Sequence, residues 1–267
     1  MKALTAEQHQ KLLQHLVDFA RQTNEVETHP SGIEYTSLMI SFLLHDLNAT
    51  ETLLRLAKSF GNDWFPVTIG YVVDRSIFEV MINAHYIARD PTQRSRQYIE
   101  YGHVIKKNTL ETFQKHRNTT DALWHEFIGL VLEHELEVLA PKIDEEYEKV
   151  KTRFQRTTRK GKTITFPNWA GKSIREMACE VDHEIEYDLF YSDLSSFTHA
   201  NVRLADQFLR FTPSGLSWTQ HADDFHVGNV FRYAATFFTC FLILYGREFN
   251  VWTEQDVGKS WEIIGAA

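Results

Sequence analysis

Between Phe65 and Arg89 the chain reads as a helix that is apolar on nearly every face. A helix of that kind has to be surrounded by other elements, so it belongs at the centre of a fold with several helices around it. Amphipathic patterns supply the partners. One runs to about Gln22 and is opened by Thr5-x-x-Gln8, the signature of a capping box. A second covers 34–60 and is ended by Gly61, and another runs from Pro91 to about Lys115, with Asp90 as N-cap and Pro91 at the first helical position. From Thr120 a long helical pattern is interrupted or bent near Pro141 and resumes through "KIDEEYEKVKTRF". Further patterns cover 173–183, 186–210, 223–246 and a short stretch after Thr253. Between them, "QRTTRKGKTITFPNWAG" places Gly161, Pro167 and Gly171 around a β-prone "TITF" and reads as an inserted loop or small hairpin near 155–170. The expected fold is all-α, a compact multi-helix bundle of about seven to nine helices forming a single helical domain over 1–267.

Composition narrows the function classes. A hydrophobic share of 43% is ample for a core in 267 residues. A net charge of -8 excludes wholesale attraction to nucleic acid or anionic membrane, so a nucleic-acid site has to be a confined basic patch. Cys179 and Cys240 sit in apolar-patterned segments without a CxxC, which favours core positions in a reduced, cytoplasmic setting. The N-terminal "MKALTAEQHQKLLQHL" has no secretory pattern. The apolar run "YAATFFTCFLILYG", 233–246, is shorter than the roughly 20 residues that cross a bilayer, so a buried helix and no membrane span are expected.

Three segments carry a family likeness. "DRSIFEVMINAHYIARDPTQRSRQYIEYG", 74–102, has Arg-Ser-x-Phe-Glu on the apolar helix and Asp-Pro opening the next; "NWAGKSIREMA", 168–178, and "YDLFYSDLSSFTHAN", 187–201, follow. Together they resemble DUF5677, a bacterial helical family of unknown function, over about 38–240, with the helices at 5–22 and 253–264 as additions. The resemblance implies a mostly helical fold and a bacterial origin, and carries no activity.

Three constellations could carry chemistry. Arg75 and Glu79 share one face of the apolar helix, and burying one charge alone is costly. They are expected to pair, either as a register-fixing ion pair or facing Tyr191, Ser195 and His199. These three, with Tyr187, form a stripe at four-residue spacing, read either as a site or as a hydrogen-bond network between core helices. Ser195 and His199 lack the GxSxG elbow of a serine hydrolase.

Glu100 with His103 and Glu180 with His183 are Glu-x-x-His pairs, the spacing that di-iron helical bundles use to aim two ligands inward, with Glu79 and Glu133 available to complete the set. In a Glu-rich chain with 13 histidines about one such pair arises by chance.

Arg96 and His103 match the Arg-x4-6-His pattern of the HEPN superfamily of helical ribonucleases and nucleotide-binding domains, with His103 as acid or base and Arg96 against a phosphate. Here the pair lies mid-chain, unlike the usual arrangement. That likeness implies RNA or nucleotide binding or cleavage in bacterial stress or phage defence. The inserted loop adds Arg153, Arg156, Arg159, Lys160 and Lys162 beside Phe154, Phe166 and Trp169, a mixture that can hold a phosphate backbone and stack a base or simply be solvated. "AGKS", 170–173, lacks the earlier glycine of a phosphate-binding loop. The expected partners are RNA or a nucleotide, with room for a homodimer and no specified cofactor. The alternatives are a di-metal carboxylate oxidoreductase and a non-enzymatic scaffold.

Overall fold

The computed structural model describes residues 4–23, 25–131, 138–198, 209–213, 215–218 and 223–262. It is all-α apart from two small hairpins, and the chain divides into two compact units, one made of 1–91 and 174–267 and the other of 92–173.

The first unit is built on the apolar helix. α1 (Ala6–Ala20) opens on the expected capping box, with Gln8 N donating to Thr5 Oγ1 at 3.2 Å and Thr5 N donating to Gln8 Oε1 at 2.9 Å. α2 (Ile33–Phe60) stops at Gly61, whose φ of 66° suits a residue without a Cβ. α3 (Val67–Ala88) is the central helix, with Ile77, Phe78, Met81, Ile82 and Ala84 fully buried.

After α7 (Ile174–Glu180) come α8 (Glu184–Glu186), a π-helical turn at Tyr187–Tyr191 and α9 (Ser192–Thr198). α10 (Asp224–Phe249) starts at an Asp223 cap that accepts from His226 N at 2.8 Å, and α11 (Glu254–Glu262) closes the chain. α10 packs chiefly on α3 and α1. It is long and apolar enough to span a membrane by length and composition alone, but 72% of its most apolar window is buried in the fold, the pattern of a core helix.

Two expectations are corrected in this unit. The helix read over 186–210 gives way to β3 (Leu209–Thr212), which pairs antiparallel with β4 (Gly215–Trp218); Pro213 lies in the turn, and Leu209, Phe211 and Thr212 favour strand. Cys179, read as a core residue, is exposed, because α7 buries Met177 and Ala178 instead. Cys240 is half-buried, and burial pushes its thiol up to about 11.

The second unit begins with α4 (Pro91–His116) and continues through α5 (Ala122–Val131) and α6 (Ala140–Val150). Pro141 lies in the first turn of α6, where its missing N–H costs nothing, so the interruption or bend expected there is the start of a new helix. The expected hairpin forms from β1 (Gln155–Thr157) and β2 (Thr163–Thr165), paired antiparallel. Its flanks are fixed to α4: Tyr101 Oη donates to Phe166 O at 3.0 Å, Gln97 Nε2 donates to Trp169 O at 2.8 Å, and the Tyr101 and Phe154 rings meet edge-on at 5.2 Å.

Candidate functional site

In the first unit the expected Arg75, Glu79 and Tyr191 do come together. Arg75 Nε donates to Glu79 Oε1 at 2.8 Å, Arg75 Nη2 donates to Tyr191 Oη at 3.0 Å, and Tyr191 Oη donates to the same Glu79 Oε1 at 3.0 Å. Three bonds thus close a triangle between α3 and the π-helical turn. The wider π turn stacks Tyr187 on Tyr191, with ring centroids 4.7 Å apart and planes 19° from parallel, while Phe78 packs against Tyr191 at 5.6 Å.

Burial, and then the Glu79 carboxylate, push the Tyr191 phenol up to about 12, so it stays protonated and donates. The triangle therefore orients helices and holds a proton in place; it offers no nucleophile. Ser195 lies one turn further on, half-buried in α9. His199 lies outside the described residues.

A half-buried histidine pair, missed by the sequence reading, sits near the C-terminal end of α3. His183 Nε2 is 3.4 Å from His85 Nδ1, and Glu186 Oε1 is 3.5 Å from His183 Nδ1. Burial, then the neighbouring His183, push His85 down to about 3, so it is neutral at physiological pH. The signal was present in the sequence: Asp74, Asn83 and His85 are polar residues on a helix otherwise committed to the core.

The Glu180 and His183 pair does not form the inward-facing couple expected of metal ligands. α7 ends at Glu180, Asp182 takes a left-handed φ of 65°, and His183 then precedes α8. Glu180 is exposed while His183 turns inward to His85. Glu133 lies outside the described residues, and among the described residues no group of three or more His, Cys, Asp or Glu could hold a metal ion.

The second unit gathers the basic candidates. Arg96 Nε donates to Glu100 Oε1 at 2.9 Å, and Arg153 holds Glu100 Oε2. Burial raises the Glu100 pKa, but the bonds and charges of Arg153 and Arg96 outweigh it and hold the carboxyl below its usual range. Two cations share one anion, and Thr92, Gln93 and Gln97 complete a polar cleft of about 540 Å³ around them. His103, half-buried, is two turns beyond Arg96 on α4 and is not among the residues lining that cleft.

Arg156, Arg159, Lys160 and Lys162 stand exposed on the hairpin and its turn. No described acidic residue lies within ion-pair distance of these four, whereas Lys107, Lys149 and Arg96 in the same unit all have carboxylate partners. The division of charge is sharp. Residues 92–173 carry 15 Lys and Arg against 11 Asp and Glu, a formal +4, and the remainder of the chain carries 13 against 25, or -12.

A central apolar helix tied by a half-buried polar triangle to a π-helical turn, in a chain whose second unit carries a basic hairpin, defines an all-α helical class. The model of the family of unknown function DUF5677 matches residues 67–215, more than half of the chain, and the chain belongs to that family. The match takes in Arg75, Glu79, Tyr191 and the whole second unit, and is narrower than the 38–240 expected. No curated protein and no solved structure matches the chain.

Proposed function

We propose that this chain binds RNA through the 92–173 unit, as a binding module and not as a nuclease. The observation that carries the reading is the hairpin: four exposed cations without acidic partners among the described residues, in a unit of formal charge +4 within a chain of -8. Exposed cations on a short hairpin, without acidic partners among the described residues, are suited to phosphates, because contact releases condensed counterions and breaks none of the described salt bridges. The Arg96 and Arg153 guanidiniums around Glu100 add a second place where an anion meets net positive charge. Cleavage is not favoured, because the His103 ring is absent from the lining of the cleft that holds Arg96 and a general acid or base has to reach the phosphate that the arginine holds.

Fluorescence anisotropy with a labelled single-stranded RNA tests the proposal. Binding at 50 mM salt is expected to weaken by about 100-fold or more when Arg156, Arg159, Lys160 and Lys162 are all changed to Glu. Absence of binding by the parent chain, or equal binding by the variant, would overturn it.

A further inference from the structure

The first unit holds a second polar constellation, separate from the triangle and built by α2 and α3. Ser76 Oγ lies 3.0 Å from His45 Nε2, and His45 Nδ1 lies 3.1 Å from Asp46 Oδ1. Asp46 is fully buried and among the described residues its Oδ2 has no partner, so the contact with His45 is the described one that answers its charge. That contact sets the tautomer: an ionised Asp46 accepts from Nδ1–H, which leaves the Nε2 lone pair facing the Ser76 hydroxyl. Hydroxyl, imidazole and carboxylate in this order, each within hydrogen-bond reach of the next, form the arrangement that activates a serine.

We infer that Ser76 is a nucleophile activated by His45, with Asp46 as the positioning residue, and that it accepts acyl groups from hydrophobic carboxylic esters. Access supports the reading, because the His45 side chain is 43% exposed and Ser76 is half-exposed. The choice of ester follows from the same helix. Ile69 and Val72 lie seven and four residues before Ser76 on one stripe, and both are exposed, at 52% and 41%, so an acyl chain has apolar surface to lie along.

In the step, Ser76 Oγ attacks the ester carbonyl carbon while its proton passes to His45 Nε2. The carbon–oxygen bond to the leaving group then breaks and the departing alkoxide takes the proton back from His45. The products are acyl-Ser76 and a free alcohol. Ser76 is in mid-helix, where the surrounding backbone N–H groups are spent on the helix ladder and none is left to act as an oxyanion hole. That lack slows acylation and the attack of water on acyl-Ser76 alike, so an activated ester with a good leaving group is needed to drive the first step, after which the adduct accumulates once per chain.

The full chain treated with p-nitrophenyl butyrate at pH 8 provides the test. Near one equivalent of nitrophenolate is expected in a burst, with a butyryl adduct mapped to Ser76 by peptide mass spectrometry. Ser76→Ala abolishes the adduct and His45→Gln slows the burst about 100-fold or more; both positions are partly exposed, and circular dichroism checks that each variant is folded. Asp46→Asn moves the pH midpoint of the burst downward, because the bond to Asp46 is what holds His45 above its ordinary pKa, and a merely structural aspartate would leave that midpoint alone. No adduct, an adduct on His45 in place of Ser76, or an unchanged rate in His45→Gln would overturn the inference.

Discussion

The two units treat their polar residues in opposite ways. The 1–91 and 174–267 unit, formally -12, draws its distinctive polar groups inward: Asp46 and Asp74 are fully buried, His85 lies against His183, and Arg75, Glu79 and Tyr191 close on one another. The 92–173 unit, formally +4, buries no described charged residue and displays its cations on a hairpin. Burying a polar group is costly unless it is paired, so the paired members, Arg75 with Glu79 and Tyr191, and His85 with His183, are best understood as fixing helices. Surface cations that pair with no described acidic residue stabilise little inside the unit, which leaves them available to an outside partner.

Charge reversal gives the largest expected effect. If the five basic residues of the hairpin region, Arg153 included, engage phosphates, the affinity for single-stranded RNA falls with salt with a log–log slope of about -3.5, or about -0.7 per contact. Changing Arg156 and Lys160 to Glu reduces that slope by about 1.4. Arg55→Glu on the other unit, where the side chain is 81% exposed and paired with Glu51, leaves both affinity and slope in place. An equal loss in Arg55→Glu would erase the distinction between the units.

Next comes pH. His85 is pushed down to about 3 from 6.5 by burial and then by His183, so the unfolded chain binds its proton first and the stability His85 contributes is lost as pH falls from about 6.5 towards 3. Asp46 runs the other way. Burial raises it from 3.8 to about 7, so the folded chain holds the proton, and this contribution is present below about 3.8 and lost as pH rises towards 7. Asp74, also raised by burial, acts in the same direction as Asp46. Urea unfolding at pH 4, 5 and 6 separates them: Asp46→Asn makes stability rise more steeply with pH, and His85→Leu makes it rise less steeply, each by up to about 1.4 kcal/mol per pH unit.

Much of this was legible in the sequence, and the gaps have physical causes. The α1 capping box, the start of α4 at Pro91 and the hairpin near 155–170 were readable because caps, proline and turn residues act locally. The Arg75, Glu79 and Tyr191 triangle was readable because two charges on an apolar helix have to find partners. His85, His45 and Asp46 were not singled out, since their partners come from elements distant in sequence or from a neighbouring residue whose burial no spacing rule gives. The Glu180 and His183 pair misled because i, i+3 spacing places ligands together only on an unbroken helix, and Asp182 breaks it. β3 was missed because its four residues continue a helical pattern as readily as a strand.

Two helical glycines turn the contrast into a stability measurement. A Cβ added at Gly70 in α3 would lie 2.7 Å from Val230 Cγ1 of α10, so α3 and α10 meet there without room for a methyl group. Gly70→Ala is expected to cost about 1–3 kcal/mol by overpacking. Gly102 in α4 has nothing within 4 Å of the added carbon, so Gly102→Ala is expected to gain about 0.5–1 kcal/mol from helix propensity. Chemical denaturation reads both, and equal signs would show that the α3–α10 contact relaxes more easily than its geometry indicates.

The smallest effect compares two tyrosines, one in each unit. Tyr191 Oη donates to the Glu79 carboxylate and accepts from Arg75, both at 3.0 Å. Tyr101 Oη donates to the neutral carbonyl of Phe166, also at 3.0 Å. Bonds to charged groups contribute more than neutral ones, so Tyr191→Phe is expected to destabilise by about 1.5–3 kcal/mol and Tyr101→Phe by about 1 kcal/mol. Partial exposure of Arg75 and Glu79, at 21% and 35%, places Tyr191→Phe at the low end of its range because water can replace part of the lost bond. Urea titration of the two variants resolves a difference of this size. Equal losses would mean that solvent satisfies the triangle once the hydroxyl is gone, and the case for a triangle that fixes α3 against the π-helical turn would then rest on the packing of Phe78 and Tyr187 alone.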